Sequence, residues 1–292
     1  MYSPDEWEIL AEVNSVSCIT ILSLIFGRKV AMLDGPIHYG QGLLLVLYGI
    51  AWAISLIACM LTSTNNGNFI SCSLTFYNCT LLYTVFKVTL YMHFVEKIYV
   101  ISATRAPRYR CPLYITNICL MIPHIAIFVL LTWFRVTSVR DEFPYHCSIG
   151  HELPATVAVL CYDVFVASLY TGIFVKYWLF PNTAQQTDYQ ATNLYIMARH
   201  SLLPSIMAIV SAIVNYCIML WHQGEERGLV LSSIITLCVT VLCCCIHWVT
   251  SHPSEIQFNE KILHRGNGEK PVKLEIKQHQ EVVILTELNT QA

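Results

Sequence analysis

The sequence predicts an all-α fold: a seven-helix transmembrane bundle with its N-terminus outside and its C-terminus cytoplasmic. Three observations predict it. Only 12% of the 292 residues are charged, about half of the roughly 25% usual in soluble proteins. Mean hydropathy is +0.53. Seven apolar runs approach the ~20 residues that a helix needs to cross a hydrocarbon layer about 30 Å thick. The same composition speaks against a soluble enzyme and against a disordered chain. A net charge of −2 leaves no basic field to gather phosphate, so no nucleic-acid partner is expected. The first partner is the lipid bilayer itself.

The first run, Trp7–Phe26, is the weakest, because Glu8, Glu12 and Asn14 fall in its outer half. It lacks the basic leader of a signal peptide and carries Arg28–Lys29 after its apolar stretch, which is the layout of a retained helix. The clearer runs are Gly42–Thr62, Phe69–Phe94, Pro112–Val136, Leu153–Phe180, Ser201–His222 and Gly228–Thr250. Pro123 and Pro204 free backbone carbonyls in the fourth and sixth and are expected to kink them. Thirteen Lys and Arg residues fall on one side of the bundle and three on the other, with Lys87 inside a span. The basic side is therefore expected to be cytoplasmic. Domain organisation follows: an extracellular segment 1–6, the bundle 7–250, and a cytoplasmic, largely disordered tail 251–292 whose composition turns to mixed charge.

Thirteen cysteines are present, and most sit within spans as small apolar residues. Cys72, in the first turn of the third span, and Cys147, in the second outer loop, are disulfide candidates. An oxidising outer compartment favours a bridge, and two separate thiols are the other possibility. Cys243, Cys244 and Cys245 lie near the inner end of the seventh span, open to acylation or to simple packing. No Cys or His spacing matches a metal site, so neither metal nor cofactor is expected.

Ionisable groups inside a span are functional candidates, because their insertion costs energy that packing must offset. Lys87, His93, Asp163 and His247 are the intramembrane candidates; His124 is a further buried polar residue, and Asn117 and Asn215 are expected to act as interhelical glue. Lys87 lies about 27 Å along its helix and Asp163 about 15 Å along its own, at 1.5 Å per residue. A long side chain and helix tilt would close part of that gap. Pairing and separate satisfaction of the two groups both stay open. No catalytic constellation emerges, so an enzyme is not expected.

Several short segments carry a resemblance. Phe94–Val95–Glu96–Lys97–Ile98–Tyr99, Tyr162–Asp163–Val164–Phe165, His247–Trp248–Val249–Thr250–Ser251 and Cys147–Ser148–Ile149–Gly150 resemble the fungal seven-transmembrane, G-protein-coupled-receptor-like membrane proteins of uncharacterised function. The pairing of a third-helix top with the second outer loop is also similar to the bridge of rhodopsin-like receptors. The resemblance implies a plasma-membrane receptor-like bundle. It also implies a partner-facing inner surface of Glu96, Lys97 and Tyr99 with Arg105, Arg108 and Arg110 of the following loop. Glu96–Tyr99 occupies the place of the acidic-Arg-Tyr triplet, but Lys lacks the planar fork of Arg, and the seventh span has no Asn-Pro-x-x-Tyr. The expected function is transmission of an outer stimulus to a cytoplasmic signalling partner, a G protein being one possibility. The alternative is a proton-linked or ion transporter using Asp163 and Lys87.

Overall fold

The computed structural model describes residues 6–32, 39–64, 68–102, 108–139, 147–180, 188–221 and 225–252. Among these, seven helices are long and apolar enough to cross a membrane. They are α1 (Glu6–Ala31), α2 (Tyr39–Thr64), α3 (Phe69–Ile101), α4 (Pro112–Trp133), α5 (Leu153–Leu179), α6 (Asp188–Trp221) and α7 (Gly228–Thr250). The protein is a multi-pass integral membrane protein built as a seven-helix bundle. Its outer surface carries large apolar side chains in the open, such as Leu24, Met60, Ile70, Ile125 and Phe165. Only a hydrocarbon surround makes such a surface favourable. Trp133 and Trp221, 82% and 85% exposed, end their helices where amphipathic rings meet the membrane interface.

Each helix carries its own start and stop signals. In α1, Glu6 and Glu8 lie in the first turn and Arg28 and Lys29 in the last, matching the helix dipole. Asn14, which weakened this span in the sequence, ties it to α7: its amide donates to the Ser233 carbonyl at 3.0 Å and hydroxyl at 2.8 Å. Asn68 caps α3 by accepting from the Ile70 amide at 2.9 Å. α3 contains one π turn, Asn78–Leu82, and continues past the expected Phe94 for almost two more turns. α4 is two pieces, Pro112–Cys119 and Pro123–Trp133, broken where Pro123 has no amide to donate. α6 runs unbroken through Pro204.

The fourth span does not reach Val136. That residue belongs to β1 (Arg135–Val139), which pairs antiparallel with β2 (Cys147–His151); β2 also pairs with β3 (Glu225–Arg227). This three-stranded sheet, β1-β2-β3, caps one end of the bundle. Gly228 sits at the β3–α7 junction, where a Cβ would lie 3.3 Å from the Cys147 sulfur and 3.4 Å from Thr75 Cγ2. A bare backbone lets the cap press onto α3 there.

α3 and α7 are the most buried helices. α3 runs through the centre, touching α2, α4, α5, α6 and α7. Tyr48, Phe86, Tyr91, Phe94, Tyr170 and Phe174 fill the interior and are essentially inaccessible. Arg105, the N-terminal residues 1–5, most of the loop 181–192 and the tail from 253 lie outside the described residues.

Candidate functional site

The site begins with the cap. Cys72 and Cys147 form a disulfide with Cα atoms 5.6 Å apart. The bridge fixes β2 against the first two turns of α3, where the His151 ring meets Phe76 edge-on at 5.2 Å. Phe76 is seven residues into α3, whereas His151 only precedes α5. α5 therefore starts about 10 Å deeper than α3, at 1.5 Å per residue. That offset removes nearly all of the depth difference between Lys87 and Asp163 expected from counting along each helix.

The two groups meet. Lys87 Nζ lies 3.0 Å from Asp163 Oδ2, and both side chains are buried. Tyr91 donates its hydroxyl to Asp163 Oδ1. The ammonium also donates toward Ser211 Oγ at 3.3 Å and the Ala208 carbonyl at 3.5 Å on α6. It stands 5.5 Å from the Tyr83 ring centroid and 5.9 Å from that of Tyr91, within range of cation–π attraction. Tyr83 and Tyr91 are four residues before and after Lys87, so one helical face presents all three. Asn215 donates to the Tyr83 hydroxyl at 2.8 Å. Three helices thus share one charged, aromatic-lined network at mid-bundle.

His124 joins this network through α4. Its ring packs against Tyr91 at 5.6 Å and Tyr162 at 5.1 Å. The break before Pro123 explains how. His124 donates its amide to Met121 in a tight turn, so the Leu120 carbonyl loses its usual helical donor and accepts the Tyr162 hydroxyl instead.

Two small cavities lie between the cap and the pair. One, beneath β2, is lined by Phe76, Cys79, Ile149, His151 and Asn215 among others. The deeper one is lined by Lys87, Asp163, His124 and Tyr162. Tyr83, Thr84, Leu131 and Tyr216 line both. Together they have room for about three water molecules. Toward the other end an aromatic layer closes the bundle: Tyr170 stacks on Tyr91 at 5.6 Å, and Phe94 meets Tyr170 at 6.1 Å and Phe174 at 5.8 Å.

His151 lies in the cap, outside the spans. Burial pushes its imidazole down to about 4, against a hydrogen bond to the Leu131 backbone. It is therefore neutral when docked and gains a proton more readily when the cap opens. The docked cap loses stability as pH falls from about 6.5 toward about 4, and is level below that. Between pH 7 and pH 5 the expected loss is about 2 kcal/mol. Thermal melts at the two pH values check it: His151→Gln should flatten the dependence, and an unchanged slope in that variant would refute the assignment.

The other end holds a second charged cluster. Glu96 was expected to face a partner, but it is buried, because α3 continues to Ile101 and the chain folds back over it. Arg108 grips it with a fork, Nη2 to Oε1 at 2.5 Å and Nε to Oε2 at 3.2 Å. The guanidinium lies 5.3 Å from the Tyr39 ring and 5.5 Å from that of Tyr99. Hydrogen bonding to Glu96 raises the Arg108 pKa further above its ordinary value, against partial burial. Arg108→Ala would strand the carboxylate at a cost of about 1–2 kcal/mol, limited by the solvent exposure of the arginine. Limited proteolysis of the loop between α3 and α4 should accelerate in Arg108→Ala, and Arg108→Lys should recover only part of the protection. An unaltered digestion rate would show that the clamp does not hold the loop.

The remaining expected residues are dispersed. Lys97 is half-buried, and Arg110 is exposed beside Tyr109 at 5.7 Å. His93 is buried about 9 Å beyond Lys87 along α3. His247 on α7 meets Tyr48 at 6.4 Å. Neither touches the Lys87–Asp163 pair. Cys243 is buried, and Cys244 and Cys245 are half-buried. Among the described residues no group of three or more His, Cys, Asp or Glu could hold a metal ion. No protein-family model matches the sequence and no curated protein matches it, so the functional reading rests on this geometry.

Proposed function

We propose that the chain is a receptor-like seven-helix protein that carries a stimulus from its sheet-capped face to partners at the opposite face. The observation that carries this reading is the run of cavities from beneath the disulfide-pinned cap to the buried Lys87–Asp163 pair. The π turn of α3 lies between cap and ion pair on the same helix, and π turns recur at functional sites. A stimulus that rearranges the pair would bias a two-state bundle. The disulfide and the excess of basic residues at the uncapped end support an outward cap and a cytoplasmic tail. The resemblance to fungal receptor-like proteins supports a plasma-membrane setting. No catalytic step belongs to this reading.

The test is proximity labelling at the uncapped face, comparing the native protein with Lys97→Ala. Enrichment of a signalling partner, such as a G-protein subunit, that is lost in the variant supports the proposal. Its absence from both moves the reading to a proton-linked or ion transporter, which the burial of an intact Lys–Asp pair beside water-sized cavities also favours. Flux in proteoliposomes that disappears in Asp163→Asn would then establish transport.

A further inference from the structure

Buried polar atoms need partners, and those without a protein partner are ordinarily met by ordered water. Three such atoms border the two cavities. His151 Nδ1 and Asn215 Oδ1 belong to residues lining the upper cavity, and His124 Nδ1 to one lining the lower. Each of these side chains is more than nine-tenths buried. Their spacing along the bundle follows the cavities from the cap to the ion pair. On the far side of the pair, Phe94, Tyr170 and Phe174 pack ring against ring.

We propose that the two cavities hold a chain of ordered waters running from beneath the cap to the ion pair, by which a proton from the capped side reaches the Asp163 carboxylate. The step balances simply. A hydronium at the cap passes a proton along the water chain, and one Asp163 oxygen accepts it. The carboxyl becomes neutral, and its attraction for Lys87 is lost. Lys87 then retains the Ala208 carbonyl and the Ser211 hydroxyl as acceptors. The groups facing Asp163 are Lys87, Tyr83 and Tyr91 from α3, His124 from α4, Tyr162 from α5 itself and Tyr216 from α6, with Cys238 of α7 on the Lys87 side. None of these groups is a second carboxylate. This route stands apart from the choice between receptor and transporter, since either could use a proton delivered from one side.

The experiment uses the full chain in uniformly oriented proteoliposomes, followed by infrared difference spectroscopy while one face is acidified. Acidifying the capped face should produce a carboxylic-acid carbonyl band that is lost in Asp163→Asn and displaced in Asp163→Glu. The glutamate variant keeps the assignment decidable should the asparagine variant fail to fold. Leu131→Phe, which narrows the junction of the cavities without touching the pair, should slow the band's appearance. A band that rises equally fast from either face, a band indifferent to residue 163, or one unaffected by Leu131→Phe overturns the proposal. So does the absence of any band on acidification.

Discussion

Lys87→Met is expected to destabilise the bundle by about 3–5 kcal/mol, the cost of stranding a buried carboxylate. Methionine has nearly the length of lysine, so the loss is of charge rather than of packing. Tyr91 would remain as a donor to one Asp163 oxygen, and the other would face an apolar side chain. A buried ion pair adds little net stability over apolar residues of the same shape, because desolvation offsets the attraction. The double variant Lys87→Met/Asp163→Leu should therefore recover most of the loss. A double-mutant cycle read by thermal denaturation in micelles decides this: equal stability of Lys87→Met and wild type would show that the pair is not desolvated. Recovery in the double variant would mean that the pair is retained for something other than stability.

The disulfide carries the second large effect. Its cysteines are 75 residues apart in sequence, and a bridge closing a loop of that length contributes about 4 kcal/mol on the chain-entropy scale. Cys72→Ser, Cys147→Ser and the reduced wild type should each lose a comparable amount. Loss of the bridge also frees β2 from α3, so the cavity beneath it loses its roof. Reductant should leave the Cys72→Ser/Cys147→Ser variant unchanged. A wild-type melting temperature insensitive to reductant would place the stability of the cap elsewhere, in its strand pairing and its contacts with Gly228 and Thr75.

The seven spans were legible in the sequence because a hydrocarbon layer imposes a length and forbids charge, and both can be counted. Their ends were less so. Val136 closes an apolar run, yet Arg135–Val139 is a strand, held by β2 across the loop that follows it, and β2 is held in turn by β3, far further along the chain. Three short strands brought together across loops leave no local period to read. The Lys87–Asp163 pairing stayed open in the sequence for the same reason, since its alignment depends on the cap setting α5 deeper than α3. Glu96 stands at the end of an apolar stretch and looks like a surface residue; only the return of Arg108 over it makes burial tolerable. Tyr83 and Tyr91 went unread in the sequence, although their four-residue spacing about Lys87 already places all three on one helical face.

The π turn at Asn78–Leu82 gives α3 an arithmetic oddity. A turn closed by an i→i+5 bond holds one residue more than a turn closed by i→i+4. The stretch from Cys72 to Lys87 therefore contains one amino acid beyond what a regular helix of the same height requires. An alignment that keeps both the cap cysteine and the buried lysine in step with an unbroken helix has to open a gap of one position between them. Without that gap, every residue below the turn would be assigned to a face about 100° away from its own.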